Sequence, residues 1–195
     1  MEEKKKLLVI VDPQYDFIDG TLPVPGAADA MDKLAEYVEK NKENYEAIVV
    51  SLDWHPKEHC SFEGQQDPNG NFGKWPVHCL RFSKGASVWQ NLMDKFEDID
   101  TYMLTKGLYA DKEAYSLFQD LDSNYRFRTL MDDHKITDVD FCGIVREVCV
   151  QNTLIDFLRI FPEIDPTVLM DFTPALDDGT TFKKFLEENP RVYTI

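Results

Sequence analysis

A cysteine at the start of a predicted helix is the residue of this chain best placed for chemistry. Cys149 follows the apolar run D-F-C-G-I at 140–144 and precedes a helix that we expect to begin around Val150. The unpaired N–H groups and the positive end of the helix dipole favour the thiolate at such a position. A thiolate is the form that a nucleophilic cysteine needs. Cys142 lies inside the apolar run, and we interpret it as a small buried hydrophobic residue.

Two other predicted strands end in side chains that could serve this thiol. Asp12 follows L-L-V-I-V and could be the general base that takes the thiol proton and later returns it to a leaving amine. Lys106 follows Y-M-L-T and could lower the thiol pKa while keeping the Asp12 carboxylate ionised. Taken singly, each has a simpler interpretation, since a strand-end aspartate often caps a turn and a strand-end lysine is often a solvated charge.

A second group of side chains has the types that bind transition metals. Asp53 and His55 occur in S-L-D-W-H, and His78 occurs in the later motif W-P-V-H. One carboxylate and two imidazoles suit Zn²⁺, Fe²⁺ or Mn²⁺, with positions left open for water or substrate. The alternative is a strand-end aspartate with two solvated loop histidines, because the spacing alone is not diagnostic. His59 could be a further ligand, although the proline between it and His55 favours a structural role.

The composition restricts the classes of partner. The net charge is −15 over 195 residues, whereas nucleic acid and anionic membranes require a basic face. The apolar runs are too short to span a membrane, and the run before Asp12 is a strand rather than a signal. Four cysteines without a C-x-x-C pair predict a reducing, cytoplasmic setting. The length predicts a single domain over residues 1–195.

Alternation of short apolar runs with amphipathic segments predicts the fold. Strands are expected at 7–11, 47–52, 102–105, 139–144 and 167–170, with a short last one at 191–194. Helices are expected at 27–42 and from about 150 to 161, and shorter ones at 87–96 and 112–121. This order predicts an α/β fold, a three-layer doubly wound and mostly parallel sheet with helices on both faces. Ligands of such sheets bind beyond the carboxyl ends of the strands.

Together these motifs resemble the nicotinamidase/pyrazinamidase branch of the isochorismatase-like cysteine hydrolase superfamily. The matching pieces run in the family's order from residue 8 to about 155, and they include V-D-P-Q-Y-D-F-I-D-G, S-L-D-W-H-P-K-E-H-C-S-F, W-P-V-H-C, K-G, A-Y-S-L-F and G-I-V-R-E-V-C-V-Q-N-T. D-W-H together with W-P-V-H-C is the specific part, because it marks the metal-bearing amidase branch. The chain departs from the family pattern at Tyr15, where Asn is frequent, and at Arg146-Glu147, where Thr-Asp or a similar pair is usual.

The resemblance implies that nicotinamide is hydrolysed to nicotinate and ammonia through a thioester, as a step of NAD salvage. The residues that it implies are a triad of Asp12, Lys106 and Cys149, the metal ligands Asp53, His55 and His78, an oxyanion hole formed by the N–H groups of Val145 and Cys149, and a ring pocket walled by Phe17, Trp75 and Tyr115. One divalent metal ion is expected, zinc before iron or manganese. A cis peptide between Ile144 and Val145 would turn the Val145 N–H inward, and we expect a homo-oligomer.

Two other functions stay open on the sequence. Another amidase of the same superfamily would act on a carbamoyl or ureido substrate, but His55 and His78 argue against it because those branches need no metal to hold a pyridine ring. A non-catalytic metal-binding scaffold of the same fold is disfavoured, since all three reacting side chains are present. A dinucleotide-binding domain is excluded because no G-x-G-x-x-G follows the first strand.

Overall fold

The computed structural model describes residues 5–195, which form a six-stranded sheet covered by helices. The strands are β1 (Lys6–Val11), β2 (Ala47–Asp53), β3 (Thr101–Lys106), β4 (Asp138–Gly143), β5 (Pro166–Val168) and β6 (Tyr193–Thr194). All neighbouring strands are parallel, in the order β3-β2-β1-β4-β5-β6. This topology confirms the predicted doubly wound α/β fold.

The helices lie between and after the strands. They are α1 (Tyr15–Ile18), α2 (Ala27–Asn41), α3 (Gln90–Met93), α4 (Leu121–His134), α5 (Gln151–Ile160) and α6 (Thr180–Glu188), and a π-helical turn (Arg146–Val150) runs directly into α5. Short 3-10 turns occupy Lys42–Asn44, Leu117–Gln119 and Met170–Phe172. Within residues 5–195, none of these helices combines the length and the apolar character needed to cross a bilayer.

Alternate residues of β1 pack into two different cores. Leu8 and Ile10 pack with α2 on one face, while Leu7, Val9 and Val11 pack with α4, α5 and α6 on the other. A strand covered on both faces needs apolar side chains at every position, which explains the unbroken run L-L-V-I-V. The three-layer arrangement predicted from the sequence is therefore confirmed.

One predicted helix is misplaced. Residues 112–120 form an irregular segment with a 3-10 turn, and the helix begins only at Leu121, as α4. The buried side of α4 carries Ser123 as well as Phe127, while Leu121 and Tyr125 are exposed. Because polar and apolar side chains occur on both sides, the 3.6-residue pattern of an amphipathic helix is weak there.

Other helix boundaries also differ from the predictions. The segment 87–96 contains only the four residues of α3, and α6 has no counterpart among the predicted helices. The helical segment that carries Cys149 begins at Arg146 rather than near residue 150. The π turn produced this difference, because its wider turn does not follow the spacing by which an α-helix is recognised.

Gly143 lies where the strand order reverses. It ends β4 opposite Val11, the last residue of β1. Its φ of +113° is accessible mainly to glycine, and an added Cβ would lie 2.1 Å from Val11 O. The close approach of the two strand ends, which positions the side chains beyond them, therefore requires a glycine.

Adding a methyl group at Gly143 should force the ends of β1 and β4 apart. We expect Gly143→Ala to lower the free energy of unfolding by about 2–5 kcal/mol, of which about 1–2 comes from the left-handed backbone and about 1–3 from overpacking. Equilibrium urea unfolding measures this loss. Gly70→Ala is the matched control, because Gly70 has a φ of +83° but no described atom within 4 Å of an added Cβ. Equal losses in both variants would contradict the close-packing argument.

Candidate active site

The carboxyl ends of four neighbouring strands bring the predicted reacting groups together. Asp12 follows β1, Asp53 ends β2, Lys106 ends β3, and the π turn after β4 carries Cys149. The register of the sheet pairs Asp53 directly with Lys106. Because parallel strands all end at the same edge, residues that are far apart in the sequence meet here.

Lys106 lies at the centre of this group. Its side chain is fully buried, and its Nζ lies 2.9 Å from Asp12 Oδ2 and 2.5 Å from Asp53 Oδ1. The same nitrogen donates to Cys149 Sγ at 3.5 Å and to Ala114 O at 3.3 Å. One ammonium group therefore contacts both carboxylates and the thiol.

Burial and charge act in opposite directions on these groups. Burial lowers the pKa of Lys106, but Asp12 and Asp53 outweigh it, so the pKa is raised well above its usual range and the group is an ammonium. Burial raises the pKa of Asp12, and neither Lys106 nor the Ser51 hydroxyl, which donates to Oδ1 at 2.7 Å, reverses that. Burial also acts on Asp53, but Lys106 and His55 hold its pKa below the usual range. The raised pKa of Asp12 suits a proton acceptor.

Cys149 is the fourth residue of the π turn and is buried. Burial raises the pKa of its thiol well above the usual value and outweighs the opposing effect of Lys106. The expectation that the helix start favours a thiolate is therefore not met, because the cost of desolvating the anion is the larger influence. An oxygen of Asp12 lies within 4.8 Å of Cys149 Sγ, so a base for the thiol proton is adjacent.

The peptide bond between Ile144 and Val145 is cis, as the resemblance implied. The Ile144 N–H donates to Val11 O at 2.7 Å, whereas no acceptor among residues 5–195 pairs with the Val145 N–H. Val145 and Cys149 both border the same cavity. Their backbone donors are the groups predicted to form the oxyanion hole.

The three predicted metal ligands also come together. Asp53 Oδ2 lies 3.5 Å from His55 Nε2 and 3.8 Å from His78 Nε2. The Nδ1 atoms of the two histidines contact carbonyl oxygens, His55 that of Gly107 at 3.1 Å and His78 that of Pro76 at 2.7 Å. Because a carbonyl can only accept, each Nδ1 carries the proton and each Nε2 presents its lone pair. This donor set fits a divalent metal ion.

His59 lies beside the ligand group without belonging to it. Its Nδ1 contacts Ser61 Oγ at 2.6 Å and its Nε2 contacts Lys112 O at 3.1 Å, so both ring nitrogens have partners. The His59 ring centroid lies 4.0 Å from that of His55. His59 therefore supports the His55 ring, which agrees with the structural role that the sequence favoured.

A cavity opens onto Cys149, His55 and His78. The structure places all three predicted aromatic residues, Phe17, Trp75 and Tyr115, in its wall. Trp75 Nε1 donates to Tyr115 OH at 3.1 Å, and the Phe17 ring lies 5.4 Å from the His78 ring. A mostly apolar space lined by aromatic side chains and a few polar groups suits a small aromatic ligand.

Several residues of the site escaped sequence reasoning. Glu113 and Leu176 border the cavity, and burial raises the pKa of Glu113. Gln14 Oε1 accepts the Asp53 N–H at 2.8 Å and Gln14 Nε2 donates to Asp53 O at 2.7 Å, which fixes the Asp53 backbone from the segment that follows β1. Of these residues, Ser51 is the one that the sequence could have identified, because it is a lone hydroxyl residue within an apolar strand. Its hydroxyl donates to Asp12.

Comparison with known proteins identifies the family to which this chain belongs. The model of the Isochorismatase domain family matches residues 6–185. The nicotinamidase of Saccharomyces cerevisiae is 28% identical over 94% of both chains, and the nicotinamidase/pyrazinamidase of Mycobacterium tuberculosis is 30% identical over 90% of both. The crystal structure of the pyrazinamidase of Pyrococcus horikoshii in complex with zinc is 30% identical and superimposes with a TM-score of 0.78, covering 98% of each chain. The chain therefore belongs to the isochorismatase family, in which its relatives are nicotinamidases and pyrazinamidases.

Proposed function

We propose that this chain is a nicotinamidase, a cysteine amidohydrolase that converts nicotinamide to nicotinate and ammonia. The observation that carries the proposal is the buried contact of Lys106 with Asp12 and Cys149 at one end of an aromatic cavity. The relatives named nicotinamidase, in a yeast and in bacteria, support the same substrate class.

The first half of the reaction forms a thioester. Asp12 takes the proton from Cys149, and the sulfur attacks the carboxamide carbon. The oxygen of the amide then carries the negative charge and accepts hydrogen bonds from the Val145 and Cys149 N–H groups. One such donor typically lowers the barrier by about 2.7–4 kcal/mol. Asp12 next gives its proton to the amide nitrogen, the C–N bond breaks and ammonia leaves.

The second half releases the acid. Asp12, again a carboxylate, takes a proton from a water molecule as its oxygen attacks the thioester carbon. The C–S bond breaks and the proton held by Asp12 returns to Cys149. The acid leaves and ionises to nicotinate by giving its remaining proton to water. Lys106 keeps its proton throughout and stabilises whichever of the two partners is anionic.

A divalent metal ion, which we propose to be zinc, would be held by Asp53, His55 and His78 and would supply a Lewis-acid position for the pyridine nitrogen. These ligands and the aromatic wall favour a heteroaromatic amide over a carbamoyl or ureido substrate. A flat ring would pack against the aromatic residues Phe17 and Trp75 of the cavity wall, whereas a chain substrate would gain less from them.

We also propose a single-domain, cytoplasmic homo-oligomer. The four cysteines are all free and buried, which suits a reducing compartment. Leu121 and Tyr125 on α4 are 79% and 72% exposed, and large apolar side chains at the surface support contact with another subunit.

Replacing the nucleophile should abolish turnover. We expect Cys149→Ala to lower ammonia release from nicotinamide by about 10⁴-fold or more, because no other group can form the thioester. The variant should fold and bind metal like the wild type. Cys142→Ala is the matched control, since Cys142 is buried within β4 and should be dispensable for the reaction. Ammonia release that survives in Cys149→Ala would rule out the mechanism.

Removing a metal ligand should remove metal and activity together. We expect His78→Ala and His55→Ala to contain less than one metal ion per chain and to release less ammonia, because two remaining donors hold a divalent ion poorly. Metal analysis of the purified proteins, beside assays with and without chelator, measures both effects. His134→Ala, at the end of α4, is the control and should keep its metal. Full activity in metal-free protein would contradict the proposal.

A further inference from the structure

Arg146 and Glu147, which differ from the family pattern, hold one segment of the C-terminal region. The Arg146 N–H donates to Pro174 O at 3.0 Å, and its Nε donates to Thr173 O at 2.6 Å. Glu147 Oε1 accepts the N–H groups of Leu176 at 2.7 Å and of Asp177 at 3.0 Å. The π turn that carries the nucleophile therefore binds the backbone of residues 173–177 at four points.

Leu176 lies at the end of these contacts and borders the cavity. Its side chain is 43% exposed, so a ligand in the cavity could cover more of it. Asp177 binds the start of α6, because its carboxylate accepts the N–H groups of Gly179 at 2.7 Å and Thr181 at 3.2 Å. Leu176 is thus fixed between Glu147 on one side and the start of α6 on the other.

The geometry of Glu147 is poorly explained by stability alone. Its Oε2 is buried and has no hydrogen-bond donor among residues 5–195. A buried carboxylate oxygen without a donor is unfavourable, so a residue that served only to stabilise the fold would be expected to satisfy both oxygens. The oxygen that is satisfied holds the two amides flanking the Leu176 side chain.

We infer that Glu147 is a positioning residue that sets the affinity for substrate by holding Leu176 against the cavity. This inference rests on the proposed function, since the cavity is taken to bind nicotinamide. Leu176 contributes apolar contact to the ring in the ground state and in the transition state alike, and such uniform binding changes KM rather than kcat. Glu147 contributes through Leu176 alone.

The test is a double-mutant cycle on nicotinamide hydrolysis. Glu147→Ala and Leu176→Ala should each raise KM by about tenfold and change kcat by less than about threefold, and the double variant should be no worse than the worse single variant. Glu147→Gln keeps a side-chain carbonyl oxygen for the two amides and should restore KM to within about threefold of the wild type. Hydrogen exchange of the Leu176 and Asp177 amides should accelerate in Glu147→Ala.

Glu187→Ala, on the exposed side of α6, is the control and should change neither KM nor exchange. An active wild type with unchanged KM in Glu147→Ala, additive effects in the double variant, or no recovery in Glu147→Gln would each overturn the role of Glu147 alone. A wild type that released no ammonia from nicotinamide would overturn the proposed function, and the role of Glu147 with it.

Discussion

The ammonium of Lys106 is buried between two carboxylates and a thiol, and this electrostatic group constrains the rest of the site. A lone buried ammonium is unfavourable by several kcal/mol, which the contacts with Asp12 and Asp53 offset. Two carboxylates against one ammonium leave a negative charge in excess. The free side of Asp53 faces His55 and His78, so a divalent cation there would neutralise it. Asp53 therefore contacts the two histidines and the Lys106 ammonium at once.

Sheet topology is what allows such a group to exist. Asp12, Asp53 and Lys106 lie on adjacent strands whose hydrogen bonds fix their spacing, and Cys149 enters from the far side of β1 on a helical turn. The backbone hydrogen bonds of β1 and β2 with their neighbouring strands hold Asp12 and Asp53 in place against the repulsion between their carboxylates. Gly143 lets β4 approach β1 closely enough for the thiol to reach the ammonium. These side chains are therefore positioned by the ends of hydrogen-bonded parallel strands.

The sequence could predict the features that depend on local residue patterns, namely the strands and the polar residues at their ends. The unbroken apolar runs identified the parallel strands, and the polar residues after them pointed to Asp12 and Lys106. It could not place α4, whose buried side includes Ser123, nor the contacts of Glu147, which depend on a segment about thirty residues away. The pKa of Cys149 also escaped it, because burial is a property of the assembled site rather than of the helix start.

A thermodynamic cycle on Lys106 and Asp12 tests the central claim most directly. Equilibrium unfolding of Lys106→Met should show a loss of about 3–5 kcal/mol, because two buried carboxylates lose their counter-charge. Adding Asp12→Asn to that variant should restore part of the loss, whereas Asp12→Asn in the wild type should destabilise it. Such a reversal of sign would establish that Lys106 compensates the buried carboxylates. Additive effects of the two substitutions would contradict the account.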